Sequence, residues 1–335
     1  MTDERSGDSS TSPMFGRGVL FGLLSSVGYT AANIFLRHVS DINPVWVCFV
    51  KSLPTIALTI PWLILATYRG SVRLPGRSAF AMLIGGGVAG QVGGNFCFQW
   101  SLDIVGLALA VPLTTGSLII AGAILARVFL GETISRRNLI ANAILIIAVC
   151  VLSLGAGDAF EKIHQTTDGD WTLIVLGVIA ACVPGIGYSL QNIILRRVLT
   201  NGNHMSAALL TISTTGALIA FFWLQVTVGF RAIVSQTDGT ALVVMFCAGI
   251  CNAAAFVALS AALRWTPIWF VYALSSTQLT LAAVFGVWLF HEPLSQTLII
   301  GSALTIVGLA VMQTKKKKKS TKQVTESIQR NVEAQ

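Results

Sequence analysis

The sequence predicts an all-α integral membrane protein with ten transmembrane helices in two inverted five-helix repeats. Three observations carry this prediction: a duplicated pattern, a strongly apolar composition and a one-sided distribution of basic residues. Residues 28–39 return as residues 187–198, with seven of twelve positions identical at an offset of 159. Residues 130–135 are echoed at 290–295, an offset of 160. The duplication therefore runs through each half of the chain.

Composition indicates that lipid surrounds most of this chain. Hydrophobic residues make up 54% of the 335 positions, charged residues only 11%, and the mean hydropathy is +0.75. Backbone polar groups inside a bilayer must be hydrogen-bonded within their own segment, so we expect helices. Ten apolar segments are long enough to cross a hydrocarbon layer of about 30 Å. They cover residues 18–36, 44–67, 80–100, 105–130, 138–154, 171–195, 205–228, 240–263, 268–290 and 296–312.

Basic residues predict the orientation of these segments. With a cytoplasmic N-terminus, only Arg37, Lys162 and Arg231 face outside, which agrees with the positive-inside rule. The cytoplasmic side then collects Arg69, Arg73, Arg77, Arg136, Arg137, Arg196, Arg197, Arg264 and the lysine run 315–319. Because five helices per repeat is an odd number, the second repeat must be inverted relative to the first. We therefore predict a multi-pass protein of a plasma or inner membrane, with both termini cytoplasmic.

Five regions are predicted along the chain. Residues 1–15 form a disordered cytoplasmic N-terminus, because they are polar and lack an apolar core, and residues 16–155 form the first repeat. An acidic external connector at 156–170 leads to the second repeat at 171–313. A Lys-rich cytoplasmic tail occupies 314–335. All six cysteines fall within predicted spans, so the sequence indicates no framework of extracellular disulfides.

Motifs typical of soluble enzymes fail in this context. Residues 85–90 match G-x-G-x-x-G, but they lie inside an apolar span with no preceding strand, so a dinucleotide site is not indicated. Gly86, Gly90 and Gly94 instead recur every four residues and predict a smooth face for close helix packing. We predict no enzyme, no cofactor, no metal and no nucleic-acid partner. An intramembrane enzyme, a channel and a non-transporting membrane scaffold remain the alternative classes.

Polar side chains in the middle of a span usually face the bundle interior or water, because exposure to lipid is costly. On this basis we predict ten substrate-binding residues: Lys51, Gln91, Asn95, Thr114, Tyr188, Gln191, Asn252, Tyr272, Ser275 and Gln278. The alternative for each Ser or Thr is a hydrogen bond to a carbonyl of its own helix. The alternative for each Asn or Gln is a bond that joins neighbouring helices.

Ten spans in two repeats, with Glu132 and Glu292 closing the fourth span of each repeat, resemble the EamA-type branch of the drug/metabolite transporter superfamily. The resemblance covers residues 15–313. It implies a secondary transporter, either an exporter or an exchanger, with helices one to four of each repeat around a central cavity and the fifth helices peripheral. Many relatives carry a proline upstream of that Glu. Here the region contains Ser117 and Gln278 instead, so gating positions are not carried over.

Lys51 is the only charged side chain well inside a predicted span, roughly 10 Å below the start of its helix at Pro44. No span contains an Asp or Glu at similar depth, and EamA-type relatives often carry a basic residue early in the second helix. We expect Lys51 to face the cavity and to bind an anionic or zwitterionic solute, such as an amino acid or a related metabolite. The alternative is a side chain that reaches the outer surface as an interfacial anchor.

The remaining expectations concern partners and the two repeated acids. A small-molecule substrate and the lipid bilayer are the predicted partners, and a homodimer is left open. Glu132 and Glu292 each precede a helix, and we expect each carboxylate to stabilise the N-terminus of that following helix. No acid lies inside the first span, so the sequence leaves the coupling ion open.

Overall fold

The computed structural model describes residues 13–70, 73–130, 136–154, 161, 171–266, 268–275, 277–292 and 294–313. Every regular element in these ranges is helical. The predicted disordered N-terminus before Pro13, the acidic connector apart from Glu161, the Lys-rich tail and Glu132 lie outside the described residues. The helices are α1 Pro13–His38, α2 Pro44–Tyr68, α3 Arg77–Val88, a π-helical segment Ala89–Phe96, α4 Cys97–Leu130, α5 Arg136–Leu154, α6 Trp171–Thr200, α7 Met205–Thr227, α8 Phe230–Gln236, α9 Gly239–Trp265, α10 Ile268–Ser275, α11 Thr277–Phe290 and α12 Gln296–Gln313.

Among the described residues, six helical stretches are long and apolar enough to cross a membrane. One of them, Arg77–Leu125, has 49 residues, whereas a single crossing needs about 20. Gly106 interrupts it with φ 73° and ψ 175°, a conformation that glycine adopts at little cost. Gln91 and Leu118 lie on opposite sides of Gly106 in sequence but line one cavity. The chain therefore turns back at Gly106, and this stretch crosses twice.

Three shorter apolar helices, Ala143–Leu152, Thr277–Phe290 and Gln296–Gly308, complete the set of crossings. The result is the predicted all-α membrane bundle of ten crossings. The third and fourth crossings differ in detail from the prediction, which placed their turn at residues 101–104. The helix instead continues through these residues to Gly106. Leu102, Ile104 and Val105 are buried in the core.

Packing follows the internal repeat. α2 packs against α7, and α5 packs against α12, so each pair joins equivalent helices of the two repeats. α1 packs along α9, and the equivalent contact joins α6 to α3 and the π-helical segment. Such reciprocal contacts are expected of two inverted repeats related by a pseudo-twofold axis.

Glycines allow the third and sixth crossings to approach closely. A Cβ added to Gly187 of α6 would lie 2.5 Å from a carbonyl oxygen and 2.9 Å from an amide nitrogen of the π-helical segment. Gly94 faces the ring of Tyr188, and Gly90 faces the side chain of Gln191. The smooth face predicted in the third span is thus a contact with α6, as small residues at membrane helix interfaces permit.

Candidate functional site

A cavity of about 170 Å³ lies at the centre of the bundle, between the two repeats. Its walls come from α1–α4, α6, α7 and α9–α11, which are the first four crossings of each repeat. None of the described residues that line it belongs to α5 or α12. A space of this size admits a small organic molecule rather than a polypeptide.

The structure brings all ten predicted site residues together around this one cavity. They are Lys51, Gln91, Asn95, Thr114, Tyr188, Gln191, Asn252, Tyr272, Ser275 and Gln278. Selecting polar side chains in the middle of the predicted spans therefore identified residues that line the cavity. Their role in substrate binding stays a prediction.

The π-helical segment Ala89–Phe96 positions two of these residues. Gln91 and Asn95 project from its wider turns into the same space, and Asn95 Nδ2 donates a hydrogen bond to Gln91 Oε1 at 2.9 Å. π-helical turns are rare and occur frequently at functional sites. Nothing in the local hydropathy pattern indicated one here.

Lys51 lies in the wall of the cavity and is 4% exposed. Its Nζ donates a hydrogen bond to Asn95 Oδ1 at 2.8 Å, and the hydroxyl of Tyr188 donates to the same oxygen at 3.0 Å. No Asp or Glu is present among the described residues that line the cavity. The ammonium group is thus held by an amide, and the part of the cavity lining that the structure describes places no carboxylate beside it.

The amide nitrogen Nε2 of Gln91 is buried without a hydrogen-bond partner among the described residues. A buried polar group that is left unsatisfied costs about 1–3 kcal/mol. Protein atoms cover this nitrogen, so in this conformation it offers no donor to the cavity.

Two of the predicted hydroxyls bond the backbone instead. Thr114 Oγ1 donates to the carbonyl of Ala181 at 2.6 Å and so joins α4 to α6. Ser275 Oγ donates to the carbonyl of Val271, one turn earlier in its own helix, at 3.1 Å. The Ser275 bond is the alternative that the sequence left open for Ser and Thr, whereas Thr114 bonds a carbonyl of another helix.

The sequence-based selection missed a wall that α1 supplies. Tyr29 and Asn33 line the cavity. They are the repeat equivalents of Tyr188 and Asn192, which also line it. The internal repeat could have identified these two residues. A pseudo-twofold axis that passes near the cavity relates the wall that α6 supplies to the wall that α1 supplies.

Glu292 stabilises a helix N-terminus, but not the one that we expected. It is 4% exposed, and its carboxylate accepts hydrogen bonds from the backbone nitrogens of Leu107 at 2.8 Å and Ala108 at 2.7 Å. Arg37 Nε donates to the same carboxylate at 3.0 Å. The turn at Gly106 leaves the first N–H groups of the following helical stretch without helical partners, and an anion at that position is favoured.

The helix that follows Glu292 is capped by a different residue. The hydroxyl of Ser295 accepts a hydrogen bond from the backbone nitrogen of Leu298 in the first turn of α12, at 3.1 Å. Sequence proximity therefore assigned Glu292 to the wrong helix. The carboxylate instead joins α1 and α4 at the end of α11.

The class of protein follows from this arrangement. Two inverted repeats surround a central polar cavity, and a charged side chain lies at depth in its wall. Internal inverted repeats with a site at their interface are the architecture of membrane transporters. Ionisable residues inside a bilayer usually belong to a functional pathway.

The chain belongs to the EamA-like transporter family, whose family model matches residues 16–154 and 175–314, one match for each repeat. This agrees with the resemblance to the drug/metabolite transporter superfamily, and it makes the protein a multi-pass membrane transporter by family. One solved chain, described as "Crystal structure of protein", has a TM-score of 0.61 at 17% identity and covers 89% of this chain and 96% of its own. That likeness shows the fold alone. A search of curated proteins finds no match.

Proposed function

We propose that this protein is a secondary transporter, an exporter or exchanger, of a small polar organic solute that bears an anionic group. Lys51 carries the proposal. It lies in the cavity wall with an amide as its hydrogen-bond partner, and the described lining contains no acid. A lysine near a bilayer centre costs about 2.5–3.5 kcal/mol on insertion scales. A carboxylate or phosphate of the solute would offset that cost.

Alternating access is the mechanism that the architecture supports best. The cavity is shared by both repeats, and the equivalent pairs α2 with α7 and α5 with α12 provide surfaces across which one repeat can rock against the other. The distribution of basic residues supports a topology with both termini in the cytoplasm, in a plasma or inner membrane.

A zwitterionic solute such as an amino acid stays within this proposal. The rings of Tyr29, Phe98 and Tyr188 line the same cavity. An aromatic face attracts an ammonium group by about 0.5–2 kcal/mol, depending on its hydration. The anionic end would then face Lys51 and the cationic end the rings.

Counterflow in proteoliposomes tests this function. A panel of radiolabelled amino acids, organic acids, phosphate esters and neutral polyols would be offered to the purified protein. Saturable counterflow of anionic members supports a carrier, whereas chemical turnover without flux would indicate an enzyme.

Lys51 provides the decisive variants. We expect Lys51→Gln to keep abundance and fold while it reduces counterflow by about tenfold or more, and Lys51→Arg to retain part of it, because only the second keeps the charge. The matched control is Arg231→Gln, which removes a positive charge from an exposed position on α8. Unchanged counterflow in Lys51→Gln would make the residue a structural anchor.

A further inference from the structure

Asn95 holds the ammonium group of Lys51 with an amide, where an aspartate would fit in nearly the same volume. The distance from Lys51 Nζ to Asn95 Oδ1 is 2.8 Å. A carboxylate at this position would form an ion pair and neutralise the lysine. An amide oxygen accepts the hydrogen bond but leaves the full positive charge in the cavity wall.

The same amide also orients Gln91. Asn95 Nδ2 donates to Gln91 Oε1 at 2.9 Å, so the Gln91 oxygen is occupied and its Nε2 group points elsewhere. That nitrogen is buried and has no partner among the described residues. The hydroxyl of Tyr188 fixes Asn95 from the other side at 3.0 Å, which determines which end of the amide faces Lys51.

We propose that Asn95 determines the charge selectivity of this cavity: it positions Lys51 as the donor for one singly charged anionic group, and its own neutrality reserves the lysine charge for the solute. Asn95 is thus a positioning residue that acts through Lys51. The inference rests on the proposed transport function and extends it to a class of substrate, a solute that presents one singly charged carboxylate or a similar oxyanion to Lys51.

The donor count agrees with this class. An ammonium group has three N–H bonds, and one of those of Lys51 is used by Asn95. Its two remaining N–H bonds can meet the two oxygens of a carboxylate. Lys51 is the one charged side chain among the described residues that line the cavity, so a second negative charge would find no cation there.

Asn95→Asp is the informative substitution. It keeps the size of the side chain and the hydrogen bond from Lys51. It also adds a negative charge beside the lysine, where the wild-type cavity has a neutral amide. The solute anion would then face an already paired lysine and a like charge. Selectivity should shift from an acid toward its neutral amide, even if the protein folds as well as before.

The test compares acids with their own amides in counterflow. Proteoliposomes would be offered radiolabelled lactate against lactamide, glycolate against glycolamide, and 3-hydroxybutyrate against 3-hydroxybutyramide, so that each amide carries no charge. The measured quantity is the ratio of acid to amide within one preparation, which cancels differences in abundance and folding. The variants are Asn95→Asp, Asn95→Ser and the control Asn201→Asp, which makes the same exchange at an exposed residue outside the cavity lining.

We expect the wild-type protein to favour the acid by about tenfold or more, and Asn95→Asp to bring the ratio near one or invert it. Asn95→Ser should keep the ratio while KM rises, because positioning is weakened but no charge is added. Asn201→Asp should also keep the ratio, because its added charge lies outside the cavity.

Each other result overturns the inference. An acid preference retained in Asn95→Asp, or lost equally in Asn201→Asp, removes the assignment of selectivity to Asn95 and leaves anion transport intact. If the wild-type protein moves neither acids nor amides, the assigned substrate class is wrong and the inference fails. If the wild-type protein favours the amides, the proposed anion transport fails together with it. The failure of the inference and the failure of the proposed function are therefore distinct outcomes.

Discussion

Replacing Glu292 by Gln removes a buried negative charge and keeps the shape of the side chain. In the protein, the carboxylate receives the backbone N–H groups of Leu107 and Ala108, at 2.8 and 2.7 Å, and Arg37 Nε at 3.0 Å. A glutamine offers one oxygen as an acceptor, and its NH₂ group would place a donor against another donor. At least one of the three donors therefore loses its partner.

The magnitude follows from burial. An orphaned buried donor costs about 1–3 kcal/mol, and removal of one partner from a buried ion pair costs about 3–5 kcal/mol. The Arg37 side chain is 11% exposed and also donates to Ser40 Oγ at 2.7 Å, so part of its charge stays solvated and bonded. We therefore expect the low end of the ion-pair range, a loss of about 3 kcal/mol.

Thermal unfolding of the purified protein in detergent measures this loss. We expect the apparent Tm of Glu292→Gln to fall by roughly 4 °C, because the unfolding entropy grows with the number of residues. The control is Asp41→Asn, an exposed acid in the turn after α1, which should shift the Tm by less than about 1 °C. The double variant Arg37→Gln/Glu292→Gln should lose less than the sum of the two single variants, because the groups are in contact. Equal Tm values for Glu292→Gln and Asp41→Asn would refute the inference that the Glu292 carboxylate stabilises the protein by joining α1 to α4.

Two further predictions concern topology and helix packing. In a cysteine-free background, Asp238→Cys should react with an impermeant maleimide in intact cells and Arg73→Cys only after permeabilisation; equal labelling of both would contradict the inverted repeats. Gly187→Ala should lower the free energy of unfolding by about 1–3 kcal/mol, because its Cβ would meet rigid backbone, whereas Gly85→Ala should not, since its Cβ meets nothing within 4 Å. Equal thermal stability of these two alanine variants would show that the third and sixth crossings are not packed this closely.

The residues that line the candidate site could be predicted from the sequence, but the hydrogen bonds between them could not. Polar residues at depth are costly in lipid whatever their partners, so polarity alone identified ten residues of the cavity wall. The bond from Lys51 to Asn95 joins positions 44 residues apart, and no local pattern shows that the third crossing widens into a π-helical segment at that point. Tyr29 and Asn33 could have been predicted from the repeat, because Tyr188, the equivalent of Tyr29, was among the predicted site residues.

Sequence by itself determined the membrane class, the ten crossings and the two inverted repeats, because hydropathy, segment length and basic charge act between each segment and the bilayer. Only the tertiary structure decided what Glu292 does. Its carboxylate bonds Leu107 across 185 positions and Arg37 across 255, whereas the neighbouring α12 is capped by Ser295. Which acid meets which helix end depends on how the crossings pack and on the turn at Gly106. Hydropathy is a sum over a segment, but a hydrogen bond requires two particular atoms at a distance that packing alone sets.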